Sequence, residues 1–193
     1  MIEWSSQGQA HTAQWRSESG ASAPRRVIAA DDTLPADTAY RMACEGTGLL
    51  WTGDFQNARL LLQALARRTD RKPRRAATTQ QDAFNLHRQA QSQRARVLGM
   101  LLLPVTADYA IPLRRAPDVA AACTETYGAA DPASGDFVIS LRELQGLIGA
   151  HEWRKKGVPV AALEASIHPH YGVFSPVRGE YVDLVAKAPL PRT

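Results

Sequence analysis

The run "VLGMLLLPV", Val97 to Val105, is the longest apolar stretch in the chain, and its reading decides the fold. A membrane-spanning helix needs about 20 apolar residues, so this run is too short to cross a bilayer. Read as the end of a helix, it continues the spacing of Ala83, Leu86, Ala90, Val97 and Leu101, and Pro104 supplies the stop. On that reading a helix runs from near Thr79 to Leu102, with Arg88, Gln91 and Arg94 on its polar face.

Working upstream, a helical period begins at about Pro35, where Tyr40, Ala43, Thr47 and Leu50 share a face. Gly53 breaks it. Asp54 then starts a second helix with the stripe Phe55, Ala58, Leu61, Leu62 and Leu65, and Arg67 and Arg68 suit its negative C-terminal end. Downstream, a short helix follows Pro117, with Val119, Ala122, Cys123 and Thr126 on one side. The next has the clearest boundaries: Ser140 and Glu143 make a capping box, Leu141, Leu144, Leu147 and Ile148 make the stripe, and "RKKG" ends it.

Extended patterns flank this helical part. Ile2 and Trp4, then Ala13 and Trp15, surround a polar "SSQGQ" turn and predict a β-hairpin, and Ser17 to Pro24 reads as a linker. After Gly157 a second hairpin is expected over Val158 to Phe174, and helical signal returns at Glu180 to Ala186. The expected fold class is therefore mainly α: a helical bundle of about five helices with a β-hairpin at each end. The expected parts are 1–30, hairpin and linker; 31–157, a helical recognition domain; and 158–193, a hairpin and lead-in.

Hydrophobic content of 45% and charged content of 22% belong to the globular class. The N-terminus has no basic start followed by an apolar stretch, so the expectation is a cytoplasmic protein without membrane segments, with Cys44 and Cys123 as free thiols. The net charge of +4 permits an acidic partner. Much of the excess lies in "RRTDRKPRR", Arg67 to Arg75, read first as a solvated linker. A nucleic-acid patch there is the lesser expectation, because no aromatic residue interleaves to stack bases. His151 in "HEW" lacks the second histidine of a zinc-protease helix, and "HPH", His168 and His170, lacks a third ligand. Both are read as structural. Neither a Gly-x-Ser-x-Gly elbow nor a phosphate-cradling Walker loop occurs.

Two resemblances add to this reading. "AYRMACEGTGLLWTGDFQNARLLLQALARRTDRKP" resembles one tetratricopeptide unit, with Gly53-Asp54-Phe55 at the turn, Ala58 in the second helix and Pro73 after it. It implies an αα-hairpin and, as an alternative function, a self-contained helical interaction module.

"HPHYGVFSPVRGEYVDLVAKAPLP" resembles the lead-in to a class I S-adenosylmethionine-dependent methyltransferase domain, nearest the release-factor glutamine and ribosomal-protein methyltransferases. Val173, Phe174 and Pro176 match that group's turn, and Glu180 to Ala186 match the short helix at its cofactor site. "SLRELQGLIGAHEWRKKGV" is similar to the N-terminal part of bacterial methyltransferases. The resemblance implies the acceptor-recognition part of such an enzyme, with a protein amide or amine as acceptor. It implies that Phe174, Pro176 and Tyr181 form an apolar lip over S-adenosylmethionine, and that Arg178 or Glu180 makes a polar contact at its edge. The family's glycine-rich loop and Asn-Pro-Pro motif do not occur within the chain, so the chain alone is expected to be inactive, with the cofactor bound only in the presence of an α/β domain.

Overall fold

The apolar run at 97–105 is split between two elements. The computed structural model, which describes residues 1–6, 8–71, 76–175 and 179–189, ends a helix at Leu98 and begins a strand at Leu101. The strands are β1 (Ile2–Ser6), β2 (Gln9–Trp15), β3 (Arg26–Ala30), β4 (Thr47–Trp51), β5 (Leu101–Val105), β6 (Phe137–Ser140), β7 (Val158–Val160) and β8 (Ala165–Ile167). The helices are α1 (Ala36–Cys44), α2 (Phe55–Asp70), α3 (Gln80–Leu98), α4 (Ala120–Tyr127), α5 (Leu141–Lys156) and α6 (Gly179–Ala186).

β1 to β6 form one mixed sheet in the order β1-β2-β6-β5-β4-β3. β3, β4 and β5 run parallel and are joined through α1 and through α2–α3, whereas β5 and β6 are antiparallel. The sheet curls until β1 lies near β3 and is nearly closed. This corrects the expected mainly-α bundle. With 46% helix and 20% strand, the architecture is mixed α/β.

The correction has a local cause at each strand. Gly46, at φ 85°, turns the chain out of α1 in the backbone region glycine reaches without strain. Thr47 to Trp51 then form a strand instead of another turn of helix. The expected αα-hairpin of the tetratricopeptide resemblance is therefore an α1-β4-α2 unit. All five residues of β4 are buried, because neighbouring strands flank both its edges and both its faces are covered. Pro104 lies within β5 and does not end a helix. Only Leu101 and Leu102 pair with β4, so the missing proline N–H removes nothing from that ladder.

Strands β3 to β6 divide their side chains between two cores. Leu49, Trp51, Leu101, Leu103, Val105, Phe137 and Ile139 point to the outer face, where Ala39, Phe55, Ala58, Leu65, Leu141, Leu144 and Leu147 of the helices cover them. Inside the curl lie Ile2, Val27, Leu50, Leu102 and Val138, one from each of five strands. The interior is tight: a Cβ at Gly48 would come within 2.8 Å of Leu102 Cδ1 and 3.1 Å of Pro24.

The N-terminal hairpin pairs Ile2 with Ala13 and Trp4 with His11, and β2 pairs in parallel with β6. Strands before residue 31 therefore share a sheet with strands after it. The C-terminal hairpin, β7 with β8, stands as a separate two-stranded sheet. Among the described residues no helix is long and apolar enough to cross a membrane.

Candidate functional site

The expected site residues fall on the segment after β8 and on α6. That segment is held to the body by Glu125 of α4, a largely buried carboxylate. Its Oε2 lies 2.6 Å from His151 Nδ1, and its Oε1 accepts from Arg154 Nε at 2.8 Å and lies 3.5 Å from His170 Nδ1. His168 Nδ1 lies 2.5 Å from the Arg154 carbonyl oxygen, where it donates. The "HPH" imidazoles thus anchor the lead-in to α5. Among the described residues no group of three His, Cys, Asp or Glu could hold a metal ion.

Beyond the anchor much of the described chain is exposed. Tyr171 packs half-buried on the outer core, but Val173 is 60% exposed and Phe174 77%. In α6 no residue is buried: Tyr181 is 51% exposed, Leu184 70% and Val185 77%. Glu180 is exposed in the first turn. Pro176 and Arg178 lie outside the described residues.

In open α/β sheets ligands usually bind at the C-terminal ends of parallel strands. Here that end is filled by side chains. Asp54, the buried cap of α2, accepts from Gln56 N at 2.8 Å and from Arg115 Nε at 2.7 Å, with Arg114 at 3.4 Å. The Arg115 guanidinium holds its carboxyl at about 2, below the ordinary 3.8, against the opposing effect of burial. The Asp32 carboxylate accepts from Asp54 N and from Asn57.

The large opening lies at the other end of the sheet. A cleft of about 930 Å³ is bounded by the N-terminal ends of β3 and β4, the approach to β5, and the C-terminal ends of β2 and β6. Arg25 precedes β3 and Arg26 opens it, Arg96 sits in the last turn of α3, and Arg142 in the first turn of α5. Among the described residues none of these four guanidinium groups has a side-chain hydrogen bond or an ion pair. Two lining carboxylates oppose them, Glu45 and Glu143. Glu143 is engaged: Ser17 Oγ donates to it at 2.8 Å, Ser19 Oγ at 3.1 Å, and the Glu18 backbone N–H adds a third bond. Ser140 Oγ accepts from Glu143 N at 3.1 Å, so the cap is present. The Glu143 side chain, however, ties down the 17–19 loop.

Sequence reading missed this cleft. Its arginines come from three segments far apart along the chain, at 25–26, 96 and 142, whereas the conspicuous basic run behaves differently. Arg68 is paired with Asp37 at 2.7 Å, and Lys72 to Arg75 lie outside the described residues. A search of family models, curated proteins and solved structures finds no match to this chain.

Proposed function

We propose that this chain is the acceptor-recognition part of an S-adenosylmethionine-dependent methyltransferase, working against an α/β cofactor domain that docks on α6 and the segment before it. The acceptor is a protein amide or amine. The observation that carries this reading is the uncovered apolar surface of Val173, Phe174, Tyr181, Leu184 and Val185. An eight-residue helix is marginal by itself, and this one meets the described chain chiefly at the 161–163 turn and has no fully buried residue, so its exposed apolar side chains suit an external surface. That is the property the resemblance requires of the helix at the cofactor cleft.

The ion-pair network at the C-terminal ends of β3 and β4 supports the same division of labour. Asp32, Asp54 and Arg115 fill the place where a glycine-rich turn would admit a cofactor. The chain then contributes one apolar wall, Phe174 and Tyr181, with Glu180 at its edge. Pro176 and Arg178 are assigned to that wall by the resemblance alone. When bound, S-adenosylmethionine supplies the methyl group, and these residues exclude water from it and orient the acceptor.

Isothermal titration tests the reading. The chain alone should not bind S-adenosylmethionine at micromolar concentration. Joined to a cofactor domain it should bind, and Phe174→Ala or Tyr181→Ala should weaken that binding roughly tenfold, as for an aromatic anchor in an interface. Micromolar binding by the chain alone would overturn it.

A further inference from the structure

The cleft at the N-terminal ends of β3 and β4 has a charge imbalance that the fold itself does not answer. Four unpaired arginines face two glutamates, one of which is already bound by the 17–19 loop. Arg142 is the sharpest case. It stands in the first turn of α5, at the positive end of the helix dipole, where a cation is disfavoured. An anion entering the cleft would relieve both conditions.

The walls narrow the class of anion. The arginines come from three separate segments, the start of β3, the end of α3 and the start of α5, so they suit several spaced carboxylates better than one compact group. Arginine presents a planar fork that matches a carboxylate. Ser22 to Pro24, on the rim, lie outside every helix and strand. Among the described residues they make no backbone hydrogen bond to another segment, which leaves N–H and C=O groups for an extended chain. Nucleic acid fits less well. The lining aromatics are Trp15, whose indole N–H is tied to the Ala21 carbonyl at 2.8 Å, and Tyr171, which packs into the outer core.

We propose that this cleft binds an acidic, extended segment of a protein. Resting on the acceptor-recognition reading, we take that segment to belong to the methyl acceptor. Tyr171 supports the link, because it lines the cleft and leads directly into the exposed Val173 and Phe174.

The test uses the whole 193-residue chain and a short fluorescein-labelled peptide of alternating Glu and Ala, followed by polarisation. Binding should weaken with added salt. Arg96→Gln combined with Arg142→Gln should reduce affinity about tenfold, the effect of losing two exposed ion pairs. Arg59→Gln, outside the cleft lining and with its guanidinium donating to Gln56, should leave affinity unchanged. Circular dichroism of the double variant separates loss of binding from loss of fold. Equal binding of a Lys–Ala peptide, an unchanged affinity in the folded double variant, or displacement of the peptide by inorganic pyrophosphate or a short RNA at lower concentration would each overturn the proposal. None of these outcomes depends on α6, so failure here is distinguishable from failure of the cofactor-domain reading.

Discussion

Asp54 holds two structures together. Its carboxylate caps α2 through Gln56 N and receives Arg115, which ties the 114–115 turn to the end of β4. Because its folded-state carboxyl is depressed to about 2, the ionised form stabilises the fold. That contribution is complete above the ordinary carboxylate value of 3.8 and is lost as pH falls from there through about 2. Asp54→Asn keeps a capping oxygen but removes the charge. Its urea midpoint should fall below wild type at neutral pH, and the gap should shrink as both are titrated toward pH 2. A gap that persists in acid would show that the ion pair is not its source. Cys123 illustrates the opposite environment: burial pushes its thiol up to about 11, which leaves it a packing residue.

At the scale of elements, the caps of α2, α3 and α5 were legible, whereas strands β3 to β6 were not, and α1 begins at Pro35 with no side-chain cap from Thr33 or Asp37. Thr79, Asp54 and Ser140 each accept from a backbone N–H two or three residues ahead, a relation contained within one turn. Ser140→Ala removes such a bond and should cost about 1 kcal/mol in the unfolding free energy, measured by urea denaturation. An unchanged midpoint would mean that Glu143 N finds another acceptor. "TGLLW", "LLLPV" and "FVIS" carry no alternation, because both faces of β4, β5 and β6 are buried. An apolar run without period reads equally as the end of a helix. Only the partner strands remove the ambiguity, and they lie far away in sequence.

The whole molecule turns on its first strand. Ile2 is buried inside the curled sheet with Val27, Leu50, Leu102 and Val138, so the N-terminal hairpin is part of the core. Ile2→Ala should therefore destabilise the protein by about 2–4 kcal/mol, the cost of a cavity in a packed core. A hairpin attached by a flexible linker would give almost no change in the denaturation midpoint, and that result would argue against the near-closed sheet.

What the amino-acid order determined alone was local: the caps of α2, α3 and α5, the helical stripes on α2 and α5, the "SSQGQ" hairpin, and a helix over 180–186. These depend on neighbours within a turn or a strand. The tertiary structure decided which apolar runs are strands, the order in which they pair, and where Arg25, Arg26, Arg96 and Arg142 meet. Strand pairing and the convergence of charge join residues distant along the chain, and spacing within a segment holds no record of either.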